Sequence, residues 1–134
     1  MLQPRQSEAD PLMVARILWA ALSFSTLIYG FVLFTTGKVS GVFVPQGELL
    51  PIEMVAMGIN VVAIGVFIFH KNMVAPQKDF QRKLPGYIIC WAMNESIAII
   101  GFLAVFLSES GNGFFYLTNV AVALTGNLLT FPRK

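Results

Sequence analysis

An all-α bundle of four membrane-spanning helices is the fold this sequence predicts, and three observations predict it. Of its 134 residues, 56% are hydrophobic and only 12% are charged, about half the charge of an ordinary soluble domain. The apolar residues gather into four runs, at residues 12–34, 50–69, 87–107 and 114–131, each close to the ~20 residues that cross about 30 Å of hydrocarbon. None of the runs alternates with period two, and an open-ended chain satisfies its backbone in lipid only as helix. The connections leave no room for a second domain, so residues 1–134 are expected to form a single four-helix unit. This composition speaks against a soluble enzyme, a disordered tail and a nucleic-acid module. With one cysteine, Cys90, there is neither an internal disulfide nor a cysteine-based metal cluster.

The first run is longer than a signal-peptide core and no small-residue cleavage site follows it, so it is expected to be a retained span. Arg16, one turn inside, is expected to snorkel to the headgroups. The second and third runs are joined by a basic stretch carrying Lys71, Lys78, Arg82 and Lys83, read as a topology signal and a contact for lipid headgroups. With four spans, Arg5, Arg16, this stretch, Arg133 and Lys134 share one side, and only Lys38 falls on the other. The positive-inside rule then puts both termini in the cytoplasm, with the cell inner membrane as the expected location. The loop at residues 35–48, containing Val42, Phe43, Val44 and Pro45, and the turn at residues 108–113 face outward.

Antiparallel second and third spans have midpoints at equal depth, near Asn60 and Ile97. Glu95 then lies about 3 Å from the bilayer centre at 1.5 Å per residue, flanked by Asn94 and Ser96. A carboxylate at that depth costs at least ~2.5 kcal/mol to insert, so Glu95 must be protonated, ion-bound or partnered. At 100° per residue Asn94 aligns with Ala98, Gly101 and Val105, a small-residue stripe suited to close helix packing. Glu95 shares a bulkier face with Ile88, Trp91, Ile99 and Phe102, and is expected to look sideways towards lipid or another subunit. Glu53, about 10 Å nearer the outside than Asn60, completes a possible polar line of Glu53, Asn60 and Glu95 as an outer access route. The fourth span offers Tyr116, Asn119, Ala123, Gly126 and Thr130 on one face, and the first offers Ser23, Ser25 and Thr26 at mid-depth. Such hydroxyls and amides ordinarily act as interhelical glue worth ~0.6 kcal/mol each.

No nucleophile triad, Gly-rich phosphate loop or metal-ligand spacing is present, so no catalytic residue and no metal site are expected. His70 sits beside Lys71 at a helix end. A buried acid that is neutral in lipid and ionises on meeting water or a cation can shuttle protons. The candidate site is therefore Glu95 with Ser96, Asn60 and Asn94, taking H+ or Na+ and no other cofactor. Ser25, Gly30 and Phe31 also align with Ser96, Gly101 and Phe102 at an offset of 71, the mark of a duplicated helical pair, with Phe24 standing where Glu95 stands.

The stretch from residue 53 to 107 resembles the helical hairpin of the rotary ATPase proteolipid (c) subunits. The likeness rests on Met57-Gly58, Ala63-Ile64-Gly65, Ala75-Pro76-Gln77, Lys83-Leu84 and, above all, Glu95-Ser96-Ile97-Ala98-Ile99-Ile100-Gly101-Phe102. It implies that Glu95 corresponds to the ion-carrying acid of that family and Ser96 to the serine of its sodium-dependent members. Asn60 then lies at the depth where those members use a Gln. The expected protein is a non-enzymatic membrane subunit that binds or relays H+ or Na+. Its partners would be the lipid bilayer and other copies of itself or other membrane subunits, with no nucleic acid. A structural subunit, its polar residues serving as glue, is the alternative.

Overall fold

The computed structural model describes residues 10–39, 41, 43–44, 47–108 and 111–133. Arg5 and Lys134 of the charge count, and Val42 and Pro45 of the outer loop, lie outside them. Among the described residues the structure is all-helical. Helix α1 spans Pro11–Thr35, α2 Pro51–Val74, α3 Phe80–Leu107 and α4 Phe114–Leu129.

Local chemistry sets each boundary. Asp10 Oδ1 accepts from the Leu12 N–H at 3.0 Å and Pro11 occupies the first turn of α1, where its missing donor costs nothing. The helix ends at Gly37, whose φ of +67° lets the Gly37 and Lys38 N–H groups turn back to the Phe34 and Leu33 carbonyls. This pair of bonds is a Schellman closure. In α2, Glu53 Oε2 accepts from the Leu50 N–H at 2.8 Å, the half of a capping box supplied by the third helical residue. The rod tightens to a 3-10 turn at Ile59–Val61. There Asn60 Nδ2 donates to the Ala56 carbonyl at 3.0 Å and the Met57 carbonyl at 3.3 Å, a side-chain bond that competes with the helical ladder.

The apolar runs misjudge three helix ends. Helix α2 continues through a π turn at His70–Val74, and α3 begins at Phe80 because Asp79 caps it, accepting from the Gln81 N–H at 3.0 Å. The basic stretch is thus mostly helix. Lys71 lies on the last turn of α2 and Arg82 and Lys83 on the first of α3, and only Lys78 stands in the connection. Polar turns beyond the hydrocarbon are still helical, and hydropathy does not register them. The third correction concerns α4. Helices α1, α2 and α3 have 25, 24 and 28 residues and are long and apolar enough to cross a membrane, whereas α4 stops at Leu129 after 16. At 1.5 Å per residue that is about 24 Å, short of the crossing length. Thr130 and Phe131 leave the helix because Pro132 follows, and a proline disfavours helical backbone in the residue before it.

Helix α3 is the centre of the bundle, with Tyr87, Cys90, Trp91, Asn94, Ile97, Ala98, Gly101, Ala104 and Val105 buried. Helix α4 packs antiparallel along it, and α1 and α2 pack on both. Two glycines set the α3–α4 approach. A Cβ on Gly101 would lie 2.5 Å from Asn119 Cβ, and one on Gly126 would lie 2.7 Å from the Asn94 amide. Each helix lays an Asn on the other's Gly, and each carries the spacing Asn-x3-Ala-x2-Gly, as Asn94, Ala98, Gly101 and as Asn119, Ala123, Gly126. The contact is locally two-fold symmetric. Indole N–H groups close the open end of α4, Trp19 donating to the Asn127 carbonyl at 2.8 Å and Trp91 to that of Thr130 at 3.2 Å. Large apolar side chains point outward, among them Phe24, Phe31 and Phe34 of α1 and Val61 and Ile64 of α2, as a lipid-facing surface requires.

Candidate functional site

Glu95 follows the buried Asn94 and so stands on the flank of the α3–α4 contact, turned to α1. Ser25 and Tyr29 of α1, four residues apart and hence on one helix face, meet it there. The Ser25 hydroxyl lies 2.5 Å from Glu95 Oε1 and the Tyr29 hydroxyl 3.0 Å from the same oxygen. Phe102 lies against the Tyr29 ring with centroids 5.5 Å apart, and Glu95 is half-buried. Sidechain angles within α3 pointed Glu95 at lipid or another subunit. It faces α1 of its own chain instead, because a helical wheel holds no information on which helix lies beside which.

Counting protons shows what this cluster can do. The Ser25 hydroxyl also lies 2.7 Å from the Leu22 carbonyl, and it has one proton to donate. An ionised Glu95 accepts from both Ser25 and Tyr29. A neutral Glu95 donates its own proton to Ser25 Oγ, which releases the serine proton to the Leu22 carbonyl, while Tyr29 still donates to Glu95. Either form of the acid keeps both hydroxyl contacts at Oε1 without movement of a helix.

The other predicted site residues do not join Glu95 in one ligand set. Ser96 is exposed and donates to the Ala92 carbonyl at 2.9 Å. Asn94 Nδ2 donates to Asn127 Oδ1 at 3.0 Å, and Asn127 Nδ2 to Ser23 Oγ at 3.1 Å, tying α3 to α4 and α1. Asn60 Nδ2 also donates to Asn119 Oδ1 at 3.0 Å, and Asn119 Nδ2 to the Ile97 carbonyl at 3.0 Å, tying α2 to α4 and α3. Glu53 caps its own helix, so the line Glu53, Asn60, Glu95 is not a connected path. Among the described residues no cluster of three or more His, Cys, Asp or Glu residues could hold a metal.

The two asparagine chains are glue of the kind that hydrocarbon rewards. In a double-mutant cycle on Asn94→Ala and Asn127→Ala, read by denaturation in detergent, the coupling is expected at about 0.6 kcal/mol and no more than ~1.7. Strict additivity would show that the amide pair carries no interaction energy.

Sequence reasoning passed over Tyr29 and Asn127. A Ser25-x3-Tyr29 pair on one face of a helix was the available signal for the first. The Asn-x3-Ala-x2-Gly repeat, at an offset of 25 rather than 71, was the signal for the α3–α4 contact that Asn127 adjoins.

Charge divides between the ends of the bundle. Arg16, Lys71, Lys78, Arg82, Lys83 and Arg133 lie at the end where α1 begins and α4 finishes. Arg16 sits over the Phe131 ring at 5.8 Å. Lys38 lies at the opposite end, over the Phe106 ring at 5.2 Å. There Asn112 donates to the Val44 carbonyl at 2.7 Å and accepts from the Phe114 N–H at 3.0 Å.

The apolar helices and outward apolar surface define the class of the protein as an integral membrane protein. Beyond that class, no family model matches the chain, and no curated protein or solved structure is detectably similar to it.

Proposed function

We propose that this protein is a small, non-enzymatic, multi-pass subunit of the cell inner membrane in which Glu95 binds and releases a proton. The observation that carries this reading is the Ser25–Glu95–Tyr29 cluster, a mid-membrane acid that keeps two hydroxyl partners with or without its proton. Intramembrane acids of this kind mark proton and ion pathways. The likeness to proteolipid hairpins agrees in placing the acid on the helix that returns from the basic connection. It departs in one respect, since the hydroxyl partners of Glu95 come from α1, outside the hairpin. A proton is favoured over Na+ because Glu95, Ser25 and Tyr29 bring together only a few oxygens, fewer than a hard metal cation takes. The basic end faces the cytoplasm by the positive-inside rule, with both termini there and α4 as a fourth, shorter crossing. In this setting the chain works with other copies of itself or with unlike membrane subunits.

Dicyclohexylcarbodiimide reacts with protonated carboxyls in apolar surroundings, and it tests the reading. Glu95 is expected to be modified at acid pH and progressively less as pH rises, with no label in Glu95→Gln. Protection by sodium would replace the proton with Na+. Absence of label on Glu95 at any pH would leave the second reading, a structural subunit, which the Asn94–Asn127 and Asn60–Asn119 pairs favour.

A further inference from the structure

The turn of α1 that carries the partners of Glu95 is itself held by a residue of α4 that does not touch the acid. Tyr116 is buried, and its phenol reaches across the bundle to donate to the Thr26 carbonyl at 2.5 Å. That carbonyl lies in the middle of α1, where the helical ladder already uses it. A backbone carbonyl has two lone pairs, so Thr26 takes the phenol as a second donor and the ladder stays intact. Gly30 makes the room: a Cβ there would lie 2.6 Å from Tyr116 Oη and 2.8 Å from its Cε1.

The pinned positions adjoin the site. Ser25 precedes Thr26 and Tyr29 precedes Gly30, so at 3.6 residues per turn the face of α1 fixed by Tyr116 lies next to the face that meets Glu95. Little else of a titratable kind comes near. Around α3, α1 brings Tyr29 and α4 brings Tyr116 to the middle of the bundle, while Arg16 of α1 and Glu53, His70 and Lys71 of α2 stand towards its ends.

Resting on the reading of Glu95 as a proton site, we propose that Tyr116 is a positioning residue for that acid. By pinning the Thr26–Gly30 turn it holds the Ser25 and Tyr29 hydroxyls at the carboxyl group, and it couples the proton affinity of Glu95 to the seating of α4 against α1. The ionised acid draws on both hydroxyls as donors, and bonds to a charged acceptor are about twice as strong as neutral ones. A loosened turn therefore costs the ionised form more, and Glu95 keeps its proton to higher pH.

The pH profile of dicyclohexylcarbodiimide labelling on Glu95, measured on the purified full chain in detergent, tests this. Tyr116→Phe removes one oxygen and leaves the Thr26 carbonyl its ladder partner. It is expected to move the labelling midpoint up by about half a pH unit, a roughly threefold gain in proton affinity. Gly30→Ala, which drives the hydroxyl out from the α1 side, is expected to move it the same way. In Ser25→Ala/Tyr29→Phe, where no hydroxyl is left to position, adding Tyr116→Phe is expected to leave the midpoint unchanged. Identical midpoints for the parent and Tyr116→Phe would overturn the proposal while leaving Glu95 a proton site, even if the variant were less stable. An undiminished shift in the Ser25→Ala/Tyr29→Phe background would overturn it too, since Tyr116 would then act on Glu95 by another route. A parent whose Glu95 never labels would overturn both the proposal and the reading beneath it.

Discussion

Gly101→Ala is expected to destabilise the bundle by about 1–3 kcal/mol, the usual range for overpacking a tight core. The added methyl meets Asn119 Cβ at 2.5 Å and the Phe115 carbonyl oxygen at 3.0 Å. Neither is the end of a flexible side chain, so α3 and α4 must part. That separation also loosens the Asn119 bond to the Ile97 carbonyl and, through it, the link to Asn60. Gly58→Ala and Gly65→Ala are the matched controls, since a Cβ at either position has nothing within 4 Å. These two are expected to stabilise by up to about 1 kcal/mol through helix propensity. Denaturant titration in detergent, followed by circular dichroism, separates the two outcomes; equal behaviour of Gly101→Ala and Gly65→Ala would rule out the close α3–α4 approach.

Glu95→Gln is expected to remove the exchangeable acid of the Ser25–Tyr29 cluster while leaving the fold intact. Its side-chain carbonyl, placed where Glu95 Oε1 lies, accepts from both Ser25 and Tyr29, as the ionised acid does, so stability should stay within about 0.5 kcal/mol of the parent. Glu95→Leu fills similar space but leaves the Tyr29 hydroxyl without its partner, which costs about 1–3 kcal/mol. In infrared difference spectra between acid and alkaline pH, the parent should show, above the solvated bands of its other six Asp and Glu residues, a high-frequency band of a carboxyl in apolar surroundings that Ser25→Ala displaces and Glu95→Gln erases. Survival of that high-frequency band in Glu95→Gln would assign the proton elsewhere, and its absence from the parent would remove the proton-binding role.

Much of this architecture was legible in the chain, and the illegible parts have physical causes. Composition and run length revealed the helical class and the three long helices. The Asn94, Ala98, Gly101 stripe indicated a close helix contact, and α4 is the helix that fills it. Helix ends were misread where polar turns continue past the apolar run, at His70–Val74 and before Tyr87, and where Pro132 cuts α4 short. The assembly of the site was the least legible part. Asn60, Asn94 and Glu95 share a depth but point to different neighbours, and depth carries no azimuth between helices. Ser25 stood among the mid-depth hydroxyls without its connection to Glu95, because that contact joins residues 70 apart in sequence.

The shortness of α4 bears on where the protein can reside. On the proposed reading of α4 as a fourth crossing, a 16-residue helix, about 24 Å long, fixed alongside three longer ones gives the molecule unequal hydrophobic thickness on its two sides. A bilayer must thin beside α4, or the longer helices must tilt, at a cost of fractions of a kcal/mol per Å of mismatch. With α4 as the fourth crossing proposed above, this mismatch favours a thinner membrane, or the boundary of a larger assembly where the short side is shielded from lipid.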